Sequence, residues 1–183
     1  MGLFDMFKKK PDPKSQIDPL HDLTLSKMKV GFLVDYNMKT WEVVGYNVYE
    51  YGRNDEAEEW CLRAEGALVF LERYEDDEVE WSFAKKIRMS SIEENLAKHI
   101  GQFDEPPRKI HYQNKEFTLD EEDSGLFYED GKAPGQEFIS WTFLSDDEES
   151  FVSVEQWGEN DFEAAAGFYV EEYEFTNILP GGR

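Results

Sequence analysis

The sequence predicts a mainly β protein made of two duplicated small antiparallel units, barrel-like or sandwich-like, joined by one short helix. Three observations carry this. Apolar and polar residues alternate with period two over most of the chain beyond residue 23. The stretches LERYEDDEVEW (71–81) and VEQWGENDFEA (154–164) share one grammar. In each, alternation ends on an aromatic (Tyr74, Trp157), an acidic turn follows, and alternation resumes at Val79 or Phe162, as in a β-hairpin used twice. Between the two lies a single segment with helix punctuation.

In chain order, MGLFDMFKKKPDPKSQ stands apart as an N-terminal segment of residues 1–16. As a helix it would gather Leu3, Phe4, Met6 and Phe7 within an arc of about 160°, with Lys8, Lys9 and Lys10 directly behind and Pro11 and Pro13 ending it. So short a helix forms only against a surface, so the segment is read either as a dock for a membrane interface or partner, or as a frayed terminus or strap. Gly2 makes no myristoylation signal, because Met6 fills the Ser/Thr position.

The first unit spans 17–100. A strand from Val30 to Tyr36 meets a turn at Asn37 to Lys39, and a second runs from Thr40 to Tyr51 with a bulge at Gly45. Trp60, Leu62 and Ala64 mark a third, Glu65 and Gly66 turn, Ala67 to Tyr74 is the first hairpin arm, and Val79, Trp81 and Phe83 mark the second. The helix follows: Ser91 and Glu94 as a capping box, Ile92, Leu96 and Ile100 as an apolar stripe with His99 beside it, a Glu94–Lys98 pair, and Gly101 as the stop.

GQFDEPPR (101–108) reads as a connector to a second unit, 109–183. HYQNKEFTL (111–119) aligns with one gap on DYNMKTWEV (35–43), so that Tyr36 meets Tyr112, Lys39 meets Lys115 and Trp41 meets Phe117. Duplication is the preferred account, and one continuous sheet the alternative. EDGKAPGQE (129–137) reads as a long hairpin loop, and the chain closes on an alternating strand through Phe168, Val170, Tyr173 and Phe175 that breaks at Pro180.

Charge narrows the function. Residues 1–16 hold four lysines against two aspartates, whereas residues 110–183 set three basic side chains against 19 acidic ones within a formal total of −22. Such a surface repels phosphates, so no direct nucleic-acid contact by the body is expected, and a basic protein partner suits it. Aromatics at 15% distinguish the chain from a disordered acidic tail. One cysteine, Cys61, precludes a disulfide framework or cysteine zinc site, and no run of about 18 apolar residues is present, which reads as cytoplasmic.

Catalytic patterns are sparse. His21, His99 and His111 show no metal-ligand spacing, the acidic runs 75–78 and 146–149 lack an EF-hand arrangement, and no GxSxG, P-loop or GxGxxG pattern occurs. Cys61, beside Trp60 and Leu62 in a strand, reads as a structural thiol. No catalytic residue, metal or cofactor is therefore expected, although abundant Asp and Glu leave a general acid/base pair open. Trp60, Trp81, Trp141 and Trp157 fall in strands or hairpins; they either fill cores or, if exposed beside carboxylates, form an aromatic and acidic surface for a polyamine or a basic protein segment.

The segments KVGFLVDYNMKTWEVVGY, EEWCL, FISWTF, SVEQWGENDFEAAAG and YEFTNILPG resemble the bacterial domain-of-unknown-function family numbered 4178, over roughly Leu23 to Pro180. The matching residues are strands and turns, so the resemblance implies a β-rich fold and carries over no catalytic residue. It also implies a cytoplasmic accessory in an envelope-stress setting, because members accompany phage-shock-type membrane proteins and polyamine-synthesis enzymes. The expectation is a noncatalytic binding or adaptor protein near the inner membrane; the alternatives are an acidic nucleic-acid mimic that inhibits a DNA-binding protein, and an enzyme, which requires a deep pocket with convergent polar groups.

Overall fold

Among the described residues, four two-residue turns set the strand register. Asn37–Met38, Glu65–Gly66 and Gln113–Asn114 all have positive φ at both residues, the geometry that lets a tight hairpin follow strand twist. In the computed structural model, residues 23–52 and 55–181 are described; the expected docking segment (Leu3 to Lys10) and His21 lie outside them. The fourth turn, Asn160 with Glu159, links the last hairpin between Gly158 and Asp161.

The strands are β1 (Leu33–Tyr36), β2 (Lys39–Gly52), β3 (Asp55–Ala64), β4 (Ala67–Glu75), β5 (Val79–Ile87), β6 (Lys109–Tyr112), β7 (Lys115–Glu129), β8 (Gln136–Ser145), β9 (Ser150–Gly158), β10 (Asp161–Val170) and β11 (Thr176–Leu179), with helix α1 (Leu96–Phe103) between β5 and β6. They form one antiparallel sheet in the order β11-β1-β2-β3-β4-β5-β10-β9-β8-β7-β6. An additional pairing of β2 with β7 closes the eight strands β2–β5 and β7–β10 into a barrel. The fold is thus mainly β with one short helix, but the expected pair of separate units is corrected: residues 17–100 and 109–183 each supply four staves to a single barrel. Neither half can close alone, because residues 47–50 of β2 meet residues 126–129 of β7 and β5 meets β10, so each closing pair takes one strand from each half.

Both seams depend on close backbone approach. At the β2–β7 seam a Cβ on Gly125 would stand 2.1 Å from the Glu50 carbonyl oxygen, and at the β5–β10 seam one on Gly167 would stand 2.6 Å from Phe151 Cζ and 2.7 Å from the Phe83 carbonyl oxygen. The bulge expected at Gly45 is present, where the β2–β3 register shifts between Val43 and Gly45.

The two larger apolar cores lie outside the barrel wall. Trp41, Trp60, Leu62, Leu71, Trp81 and Phe83 point outward from β2–β5 and are covered by β1, by Leu25 and Met28, and by Phe175 before β11. Trp141, Phe143, Val152 and Val154 point outward from β8 and β9 and are covered by Leu96 and Ile100 of α1 and by Ile110 of β6. By strand alternation the intervening residues face the lumen.

Two local expectations change. The helix begins at Leu96, with Asn95 accepting from the Lys98 amide (3.3 Å), and ends at left-handed Asp104. Ser91 instead closes a 3-10 turn by bonding the Arg88 carbonyl, and Glu94 turns away to accept from His111, so the capping box does not form. The closing strand is interrupted by a 3-10 turn at Glu172–Glu174, because Glu171 and Glu174 cap each other's backbone; β11 then pairs with β1.

Candidate functional site: an acidic chamber inside the barrel

The inward residues enclose a cavity of about 600 Å³. Its centre is set by register. Asn47 on β2 stands opposite Glu59 on β3, and Glu59 opposite Glu72 on β4, which puts the two carboxylates on neighbouring strands and one face. From the other half, Glu155 on β9 stands opposite Glu163 on β10. An aromatic group runs along the β2–β7 side, where Tyr49, Phe138, Phe127 and Trp157 pack edge to face or tilted with ring centroids 5.0–5.5 Å apart.

Polar bonds cross between these parts. Asn47 Nδ2 donates to Glu59 Oε1 at 2.8 Å, and the Tyr49 hydroxyl donates to Glu155 Oε1 at 3.1 Å. Lys86 Nζ pairs with Glu163. Glu59 is only 8% exposed, and its second oxygen, Oε2, has no hydrogen-bond partner among the described residues; Glu72 has none at either oxygen. Asp55, Glu80, Glu121, Asp123, Glu129 and Asp161 add further carboxylates to the lining, against which Lys86 is the one basic side chain among the described residues.

Electrostatics follow from this imbalance. Burial pushes the Glu59 carboxyl up to about 7, resisted by the Asn47 hydrogen bond. Burial, then the charge of Glu59, pushes Glu72 up to about 8. Burial raises Glu155 to about 7 although the Tyr49 hydroxyl stabilises its anion. The chamber thus holds carboxyl groups that titrate near neutrality, a setting that attracts positive charge.

The residues singled out from sequence divide sharply. Trp60, Trp81 and Trp141 are 0%, 4% and 2% exposed in the outer cores and form no binding surface. Trp157 alone of these four lines the chamber. Cys61 is a free thiol pushed up to about 12 by burial and by Glu59, which makes it a poor nucleophile. Glu59, Glu72, Glu155 and Tyr49 were not anticipated. Their signal was the glutamate at equivalent places in LERYE and SVEQW, which an open sheet would present to solvent and a closed one encloses. Among the described residues no group of histidine, cysteine and carboxylate side chains is arranged to hold a metal.

This is a closed eight-stranded antiparallel barrel with two apolar clusters outside its wall and a carboxylate-rich lumen flanked by aromatic rings. The chain belongs to the family described as Domain of unknown function (DUF4178), whose pattern matches residues 29–172. It is also 26% identical over 182 residues to an uncharacterized protein of Aquifex aeolicus (strain VF5), covering 98% of this chain and 99% of that one. No solved structure matches.

Proposed function

We propose that this protein is a noncatalytic binding and adaptor module whose barrel chamber receives an alkylammonium group. The observation that supports it is the chamber's composition among the described residues: many inward carboxylates, one basic side chain, and an aromatic side able to cover a ligand's hydrocarbon portion. A free amine such as a polyamine and the lysine side chain of a basic protein offer the same chemistry. The setting we favour is cytoplasmic, at the inner membrane and accessory to an envelope-stress response, with residues 1–16 as the dock; it rests on the family resemblance and on the order of apolar and basic residues in that segment.

Isothermal titration of the full chain tests the binding step. Association with 1,4-diaminobutane or tetralysine, and none with 1,4-butanediol, is the expected result. Diaminobutane alone binding identifies a free amine, and tetralysine alone a protein lysine; heat from neither overturns the reading. A second reading, an enzyme using the chamber for acid/base chemistry, is favoured by carboxyl groups poised near neutrality in a deep pocket. Turnover of an amine substrate, lost in Glu72→Gln, would establish it. The inward direction of these carboxylates gives no support to nucleic-acid mimicry.

A further inference from the structure

Resting on the reading of the chamber as an ammonium site, we propose that it works by exchange: protons held by Glu59, Glu72 and Glu155 leave to solvent as the cation enters. The geometry requires something of this kind. Glu59 and Glu72 face each other across one strand pair, and no basic side chain contacts either. Two adjacent carboxylates in an enclosed space cannot both ionise without a counter-charge, so the empty chamber retains protons.

Among the described residues the lining holds one cation, Lys86, whose charge favours the anions of Glu59 and Glu155 but which is itself paired with Glu163 and contacts none of the three. Around Glu59 and Glu72, β2 supplies Asn47 with the neutral phenols of Tyr49 and Tyr51, β3 adds Asp55, β4 adds Tyr74 and β5 adds Glu80. Around Glu155, β7 supplies Glu121, Asp123 and Glu129, while β8 supplies only the non-titrating Gln136, Ser140 and Thr142. On β10 are Asp161, Glu163 and Tyr169, and Lys86 of β5 is already paired with Glu163. The raised acidities of the three carboxyls agree with this arrangement.

Two features point to a ligand beyond the abundance of acid. Glu59 lines the cavity, is more than nine-tenths buried and is bonded only through Oε1, to Asn47, and Glu72 on the same wall has no hydrogen bond, among the described residues. An –NH₃⁺ group supplies three donors, enough to bridge these oxygens. On entry each O–H proton passes to water or buffer, the carboxylate so formed accepts from the ammonium, and the chamber's charge is balanced by one cation for about one proton.

The test is calorimetric titration of the full chain with 1,4-diaminobutane and tetralysine at pH 7, in phosphate and in HEPES, neither of which is a primary amine, at equal ionic strength. Those buffers take up protons with different heats, so proton release makes the apparent binding enthalpy differ between them. For one coupled proton, affinity is expected to strengthen roughly tenfold from pH 6 to pH 8. Glu59→Gln, Glu72→Gln and Glu155→Gln should each lower the number of protons released. Binding whose heat is the same in both buffers and whose affinity is flat with pH overturns the exchange and leaves the ammonium site standing. Absence of binding in either buffer overturns both.

Discussion

At the scale of single residues, the carboxyl groups of the chamber trade stability for a poised charge. A glutamate whose folded acidity is weakened binds its proton more tightly folded than unfolded. Its contribution is therefore complete below the unfolded value near 4.5 and is lost as pH rises through about 7 for Glu59 and Glu155 and about 8 for Glu72. Glu72→Gln should accordingly raise the melting temperature at pH 8.5 and change it little at pH 5, as thermal unfolding followed by circular dichroism will read. His111 and Glu94 pair away from the chamber lining. Glu94 accepts from the His111 amide at 2.7 Å and from its Nδ1 at 2.7 Å, holding the segment before α1 against β6. The hydrogen bond to Glu94 raises His111, while bonds from His111 lower Glu94 against the effect of its burial. The histidine's share is full below about 6.5 and fades as pH rises through its raised value; the glutamate's share is present above 4.5 and fades as pH falls through its lowered one. His111→Gln should thus cost more melting temperature at pH 5.5 than at pH 9. Both residues are close to solvent, so the effect is small and sensitive to salt.

At the scale of elements, the two seams are where small changes have large effects. Gly125→Ala drives a methyl group into the Glu50 carbonyl, and a collision with backbone has no cheap relief. It should destabilise by several times the ordinary ~0.5–1 kcal/mol by which glycine and alanine differ, and in the opposite sense to helix-interior changes. The comparison is Gly101→Ala in α1, where the new Cβ meets nothing within 4 Å and stability should rise. Chemical denaturation of the two variants measures both. The strap before β1 is held by a specific bond: the Trp60 indole donates to the Met28 carbonyl at 3.1 Å from inside the outer core. Trp60→Phe removes that donor and should cost about 1–3 kcal/mol while raising hydrogen exchange in residues 25–34, whereas the Trp81 indole nitrogen, without a partner, has no such bond to lose.

At the scale of the whole molecule, the design inverts the usual barrel. Two apolar cores are placed outside the wall under separate covers, a smaller aromatic cluster around Tyr49 and Phe138 packs inside it, and much of the remaining lumen is left for polar groups. Its acidity sums with the surface charge, so low ionic strength should destabilise the protein and moderate salt should stabilise it, more at pH 8 than at pH 5, as measured by denaturation across sodium chloride concentrations. Closure by pairing of distant strands also implies high contact order and slow folding. Separate expression of 17–100 and 109–183 should give fragments with open edges that do not fold independently, a direct consequence of one barrel in place of two units.

The sequence by itself determined most strands, their turns and the alternation of apolar with polar faces, because these depend on local chemistry: period-two alternation, and small or polar residues where φ is positive, as at Asn37, Gly66 and Asn114. It also placed the bulge at Gly45. It misplaced the start of the helix, since the partner of Glu94 lies 17 residues away at His111. Only the tertiary structure decided that Tyr49 meets Phe127, that β5 meets β10, and hence that Glu59, Glu72 and Glu155 face one another across an enclosed space. On an open sheet those same glutamates form an ordinary solvated face. Closure changes their solvent and their neighbours together, and both are properties of contacts far apart in the chain.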